Sequence, residues 1–396
     1  MLRRTNGRSH GGPRQDCLSL VAMCRSRGLR ASAGRISTAA GAFSLAATIT
    51  VALAGCHGQA VGASAPRAPA SAGESVSRAS LPSGRHGATD SARVSSASVT
   101  SGVSSPSGVS SPSGVTGGAL FGANYPVVPL QPSLGRKLAI VRLYYFIGDS
   151  FPGKPKFQNL LAKGQTVLVS LDATTSYASI AAGQKDAQIN SFLQAVNQAA
   201  IKYQLGSIYI TFEHEPDSMH HRALGAPVQF LQAWDHVHQL AENAGLDWNQ
   251  GGRLHWVLIL IHDSYAKAWR VDGFWPGSSE VDIVAADGYN SFGCGIGGQR
   301  QQQTPADTFG PIVRFAAAHG GMPVFLAEWG SDDIPAGTQA TYINQMQSFV
   351  ANNTSIAGAM YWDTHVGNCD YKVDGRPASI SALAAMGQSA ALQGHV

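Results

Sequence analysis

Charge is scarce in this chain. Asp, Glu, Lys and Arg make up 13% of its 396 residues, against 44% hydrophobic ones, a balance that suits a globular protein with a sizeable buried core. The charge is also uneven. Residues 1–55 carry eight arginines and one aspartate, a surplus of seven, so the formal net charge of +4 leaves the remainder at −3. The basic character belongs to the leader, which removes the main support for a nucleic-acid partner. Two motifs are missing as well. "HEPDS" is not H-E-x-x-H, because Ser218 stands where the second histidine of a zinc site would be. "GANYPVVPL" follows the first apolar run where a dinucleotide-binding sheet would carry a Gly-rich phosphate turn.

Cysteine is the other scarce residue, with five in all. Cys17 and Cys24 fall in the leader. There "TAAGAFSLAATITVALAGC", a short apolar segment after an Arg-rich stretch, has the layout of a secretory signal. It ends in Leu53-Ala54-Gly55-Cys56, which resembles a bacterial lipobox with Cys56 as the lipidated residue; an ordinary signal peptide with a chance cysteine looks the same. Met23 would give a signal of normal length. The expected place is the cell envelope, or the medium if Cys56 is not lipidated. Cys294 and Cys369 remain, both in Gly-rich loop sequence. In an exported protein they suggest a disulfide, with two free thiols as the alternative.

Residues 56–118 are Ser, Gly, Ala and Pro with almost no large apolar side chain, and "SSPSGV" repeats in tandem at 104–109 and 110–115. Such composition cannot bury enough surface to offset its conformational entropy and reads as a disordered tether. At about 60 residues its root-mean-square reach is roughly 40 Å, enough to hold a domain clear of a membrane.

From 119 to 396 the texture changes. Eight short β-type runs alternate with amphipathic helical stretches: "LFGAN", "AIVRLYY", "TVLVSLD", "SIYITFEHE", "HWVLILI", "VDIVAADGYN", "PVFLAEWG" and "AGAMYWD". Eight strand–helix units over this length predict a (β/α)₈ TIM barrel of the α/β class. Active-site residues of that fold sit at the C-terminal strand ends, and here those ends are well supplied. The second run offers Arg142, Tyr144 and Tyr145, and the fourth Glu213, His214 and Glu215. The sixth offers Asp287, Tyr289 and Asn290, the seventh Glu328 and Trp329, and the eighth Trp362 and Asp363. Two glutamates on opposite strands among aromatics are what glycosidic bond cleavage needs: a carboxylic acid to protonate the leaving oxygen and a carboxylate to attack or to activate water.

On "HEPD", "WPGSSEVDIVAADGYN" and "PVFLAEWGS", the segment from about 119 to 390 resembles glycoside hydrolase family 26, a group of (β/α)₈ retaining glycosidases. The resemblance implies that Glu215 of the His214-Glu215 pair is the acid/base. It also implies that Glu328, before Trp329-Gly330, is the nucleophile, and that Tyr289 hydrogen-bonds it. Where β-mannanases of that family carry Arg-Pro-Trp, this chain has Thr211-Phe212-Glu213; the family also holds β-1,3-1,4-glucanases and β-1,3-xylanases. His214, Tyr289, Trp329, Trp362, Arg142 and Asn290 are the expected substrate-binding residues. No metal or cofactor is expected, and the expected partner is a polysaccharide met by a monomer. Strand alternation would turn Glu213 and Glu215 both inward, with Glu215 nearer the open end. Glu213 would then lie deeper, pair with Arg142 and help raise the Glu215 pKa. Trp275 is expected to pack under its loop, Asp217, His220 and His221 to be loop residues, and Asp287 and Asp363 to hold loops through backbone hydrogen bonds. The competing readings are a non-catalytic glycan-binding barrel and a metal-dependent polysaccharide deacetylase or hydrolase.

Overall fold

The structure, a computed structural model, describes residues 113–124 and 130–396. The predicted signal, the start at Met23, Cys56 and the tether as far as residue 112 lie outside the described residues. Eight parallel strands close into one barrel in chain order: β1 Leu120–Asn124, β2 Ile140–Phe146, β3 Thr166–Asp172, β4 Ile208–Phe212, β5 Leu254–Ile261, β6 Ile283–Asn290, β7 Val324–Ser331 and β8 Ile356–Tyr361. The (β/α)₈ expectation holds, each strand lying on one of the eight apolar runs.

Alternation along the strands makes two cores. Leu120, Ile140, Leu168, Tyr209, Val257, Ile283, Phe325 and Met360 fill the barrel interior. Their neighbours, among them Phe121, Val141, Ile210, Leu258 and Tyr361, face outward to the helices. Gly122 allows β1 and β2 to approach: a Cβ there would stand 2.5 Å from the Ile140 carbonyl oxygen.

The helices cover the outside with one apolar stripe each. Asp186–Lys202 buries Ile189, Phe192, Leu193 and Val196, and Pro227–Asn243 buries Phe230, Ala233, Trp234 and Val237, both at three- and four-residue spacing. Pro305–Ala318 starts on a capping box, Thr304 Oγ1 accepting from the Asp307 N–H and Asp307 Oδ2 from the Thr304 N–H. At the N-terminal end of the barrel, residues 113–118, which composition assigns to the tether, lie against the floor. Tyr209 donates to the Ser113 carbonyl at 2.8 Å, and Thr116 bridges to His395.

Candidate active site

At the C-terminal end of the barrel, β2, β6 and β7 bring five polar side chains together. Arg142 and Tyr144 continue the inward face of β2 that begins at Ile140, and Asp287 and Tyr289 continue that of β6 from Ile283 and Ala285. Glu328 reaches the same place through an irregularity. On β7, Phe325 and Ala327 face inward and Leu326 outward, so simple alternation would send Glu328 out to the helices. The β6–β7 register instead slips by one residue: Ala286 pairs with Leu326, but Asp287 pairs with Glu328. This β-bulge turns Glu328 inward and Trp329 outward, the re-aiming of a side chain for which bulges are suited.

Three donors converge on the Glu328 carboxyl. Tyr144 donates its hydroxyl hydrogen to Oε1, Tyr289 donates to Oε2, and Arg142 Nε lies 3.3 Å from Oε1. Burial pushes both phenols well above their ordinary pKa, Arg142 partly opposing it at Tyr144 and Glu328 adding to it at both, so both stay protonated and donating. Arg142 is fully buried, with Nη2 3.5 Å from Asp287 Oδ2 and Nε 2.8 Å from the Tyr144 hydroxyl. Burial alone would lower the pKa of this guanidinium; Asp287, Tyr144 and Glu328 outweigh it and hold it above the usual value. The expectation that Arg142 touches substrate is therefore corrected, because it is enclosed by the groups it holds. Asp287, expected to tie a loop, instead turns its carboxylate toward Arg142.

The other glutamate lies just past β4, which ends at Phe212, so the alternation that would put Glu213 and Glu215 on one face does not reach them. Both residues have left-handed backbone, φ +59° at Glu213 and +49° at Glu215, a conformation rare for side chains other than glycine. Glu213 is enclosed. Its Oε2 accepts from the Ala173 N–H at 2.9 Å and its Oε1 faces His221 Nε2 at 3.3 Å. It does not pair with Arg142, because the turn carries it toward the segment after β3 and away from β2.

Glu215 is partly open to the cleft. Burial is the largest influence on it and raises its pKa; His214 lowers it, Glu328 and Asp217 raise it, and the result is about 7. The charges that lift it are thus Glu328 and Asp217, not Glu213 as expected. Asp217 is fixed by the Ile261 N–H, the Ser264 hydroxyl and Arg270. His214 Nδ1 lies 3.0 Å from Asp172 Oδ1, and although burial depresses this imidazole, Asp172 outweighs it and lifts the pKa to about 10. His214 is therefore a cation at neutral pH. Its ring packs edge-on to Tyr144, which also meets Trp362, with centroids 5.4 and 6.0 Å apart.

Trp362 and Tyr289 keep partial exposure and His214 a similar share, so these expected substrate-binding residues border open space. Trp329 does not. The bulge turns it outward, where it is fully buried against Tyr361 and Tyr342. Asn290 is also enclosed, donating to Gln302 and Ser331 and accepting from the Gln303 N–H, so it holds the loop after β6. Asp363 anchors a loop as expected, Oδ1 accepting from the Val373 N–H at 3.0 Å, and Trp275 packs against Phe315 and His319. Cys294 and Cys369 form the expected disulfide, with Cα atoms 5.0 Å apart. Among the described residues, the grouping of ligand-type side chains near enough to share an ion is Cys294, Asp332 and Cys369, and its sulfurs are bonded to each other.

The structure brings three residues to the site beyond those expected to act on or bind the substrate. Tyr144 was among the strand-end candidates without a role, and Asp172 carried a readable signal, since each lies two residues beyond an inward position on its strand. His221 carried none, because only the fold of the turn after β4 returns it to Glu213.

The sequence matches no protein-family model and no curated protein sequence. Solved structures do resemble it. A fungal β-1,4-galactanase superposes with a TM-score of 0.50 over 69% of this chain and 100% of its own, at 12% identity. The catalytic domain of the family 26 endo-β-1,4-mannanase of Bacillus sp. JAMB-750 gives 0.49 over 69% of this chain and 86% of its own, at 12% identity. A modular family 26 endo-β-1,4-mannanase from Cellulomonas fimi gives 0.49 over 70% and 74%, at 13% identity. At such identities the likeness is one of fold.

Proposed function

We propose that this chain is an exported retaining endo-β-glycanase of the family 26 type, cleaving β-glycosidic bonds in a β-mannan- or β-glucan-like polysaccharide by double displacement. The observation that carries this reading is the unlike setting of two carboxyls in one cleft. Glu215, with its pKa near 7, keeps its proton in about half of the molecules at neutral pH and can give it to a leaving oxygen. Glu328 is gripped by Tyr144, Tyr289 and Arg142, an arrangement that suits an attacking carboxylate.

Glu328 attacks the anomeric carbon as Glu215 protonates the departing sugar, giving a glycosyl-enzyme. Glu215, now a base, then takes a proton from the water that releases it. The negative charge of Glu328 raises the Glu215 pKa, so its loss when Glu328 bonds to sugar eases deprotonation of Glu215 for the second step. His214⁺, next to Glu215 and partly exposed, supplies a donor for a sugar hydroxyl in this reading.

The rim supports a sugar ligand. Of the seven exposed large hydrophobic residues among those described, five lie in the segments that follow strands: Phe146, Met219, Trp269, Phe292 and Ile334. The aromatic faces among them, Phe146, Trp269 and Phe292, suit stacking on sugar rings. The proposed family 26 membership rests on the His214-Glu215 and Glu328-Trp329-Gly330 motifs, and export and the lipid anchor on the leader and Cys56. The disulfide fits an oxidising compartment.

The test is hydrolysis of a panel of β-mannan, β-1,3-1,4-glucan, β-1,3-xylan and β-1,4-galactan, followed by reducing-end release and product profile, with Glu215→Ala and Glu328→Ala as controls. Glycan binding with no hydrolysis would make the barrel a binding module and sink the proposal.

A further inference from the structure

Glu213 is a buried carboxyl that the proposed reaction does not use, and its surroundings say what it does. His221 Nδ1 lies 2.7 Å from the carbonyl oxygen of Glu215. A carbonyl only accepts, so Nδ1 carries the hydrogen. The opposite ring nitrogen, Nε2, faces Glu213 Oε1 at 3.3 Å, and Glu213 Oε2 is already occupied by the Ala173 N–H. In a neutral imidazole Nε2 is then a lone pair, and it finds a partner only if Glu213 Oε1 carries a proton.

The geometry points to Glu213 and His221 as a neutral, hydrogen-bonded clamp that positions Glu215: Glu213 Oε1–H donates to His221 Nε2, and His221 Nδ1–H donates to the Glu215 carbonyl. This rests on the reading of Glu215 as the acid/base.

The charges around the clamp favour its neutral form over an ion pair. Glu213 is fully enclosed, and burial, with Asp172 adding to it, pushes its pKa well above the carboxylate range against the Ala173 N–H and His214. Burial lowers His221, and the cation of His214, whose ring centroid is 5.9 Å away, opposes a second positive charge. The other titratable neighbours are Asp172 at the end of β3, Tyr177 on the helix Tyr177–Ala181, and Asp217 and His220 on the turn itself.

The clamp has a task because Glu215 is in left-handed backbone, which is unfavourable for a residue other than glycine and persists only if its surroundings fix it. The Glu215 N–H is held by the Ile259 carbonyl at 3.0 Å. Its own carbonyl is held by His221 and by the Ser218 N–H, at 2.9 Å. Removing His221 frees one side of the residue that must aim the proton. Glu213 and His221 are thus positioning residues.

Glu213→Gln tests this directly, because its amide can accept from Ala173 and donate to His221 as the neutral acid does. In the intact chain Glu213→Gln should keep kcat/KM on polysaccharide within about threefold of wild type, with the basic limb of the pH profile unmoved. Glu213→Ala and His221→Ala should lose about 10–100-fold through misplacement of Glu215. On an aryl glycoside with a good leaving group, which needs no acid, the burst rate of both should stay near wild type. A Glu213→Gln loss equal to that of Glu213→Ala, or an equal loss in the burst, would overturn the proposal. Nitrogen-15 NMR of His221 in the wild-type protein reads the clamp without activity. A neutral ring protonated on Nδ1 at neutral pH is expected, and an imidazolium would overturn it. Should the wild type hydrolyse no β-glycan, the glycosidase reading falls and the NMR result still decides the clamp.

Discussion

The ring of Tyr289 stacks on that of Tyr371, with centroids 4.9 Å apart and planes 20° from parallel. Tyr289 is the phenol that donates to Glu328, so its support bears on the nucleophile. Tyr371 in turn shares a 2.6 Å hydrogen bond with the Ser291 hydroxyl, and Cys369, two residues earlier, is bonded to Cys294, three residues past Ser291. The disulfide closes the loops that back Tyr289.

Replacing both cysteines by serine should therefore act twice. Loss of a cross-link spanning 75 residues should lower stability by about 4 kcal/mol on the loop-entropy argument. The loosened Tyr371 should lower kcat more than it raises KM, by about three- to tenfold. Urea denaturation and steady-state kinetics check the two parts. An unchanged kcat in a folded, less stable variant would separate the disulfide from the site.

The pH profile of kcat/KM should fall on the alkaline side near pH 7, where Glu215 loses its proton. Asp172 keeps His214 cationic, and that cation holds the Glu215 pKa down. Asp172→Asn should let His214 become neutral and so raise the Glu215 pKa. The alkaline limb should move to higher pH. A shift to lower pH would show that the His214 charge is not what Glu215 feels.

Stability should carry the same signature. The Glu215 pKa is raised from an ordinary 4.5 to about 7, so the folded state holds the proton more tightly than the unfolded chain. Its contribution is fully present below pH 4.5 and is lost as pH rises through 7. The cost above that pH is at most about 3–4 kcal/mol, from 1.36 kcal/mol for each tenfold change in proton affinity. Glu215→Gln, neutral throughout, should melt above the wild type at pH 8 and alongside it at pH 4.5. Equal melting temperatures at pH 8 would count against the burial that lifts this carboxyl.

The barrel was legible because eight short apolar runs alternate with amphipathic helical stretches, and each run became a strand. The site was legible where strands stayed regular: Arg142, Tyr289 and the strand ends around them. It was not legible where the backbone departed from alternation. A one-residue slip between β6 and β7 exchanged the faces of Glu328 and Trp329, so the tryptophan expected at the substrate is packed behind the barrel. Left-handed backbone at Glu213 and Glu215 took Glu213 from its expected partner Arg142 to His221. Neither departure leaves a compositional mark, since no glycine stands at 213, 215 or 327.

The roles of the two glutamates can be told apart by what each loss leaves behind. Glu328→Ala removes the attacking carboxylate, and no glycosyl-enzyme can form. Glu215→Ala keeps the attack but loses proton donation, so activity on polysaccharide should fall by about 10²–10⁴-fold. Aryl glycosides with good leaving groups should still be attacked, and the glycosyl-enzyme should then accumulate, because no base activates the water. Azide needs no such base. It should restore turnover of Glu215→Ala by attacking the trapped intermediate from the face Glu328 left open, giving a glycosyl azide of retained configuration. The same carboxyls should stand roughly 5–5.5 Å apart in a substrate-analogue complex, the spacing of direct attack and not the wider gap that admits a water. A retained azide product from Glu328→Ala but not from Glu215→Ala would reverse the assignment, and a separation of about 9 Å would replace double displacement by single.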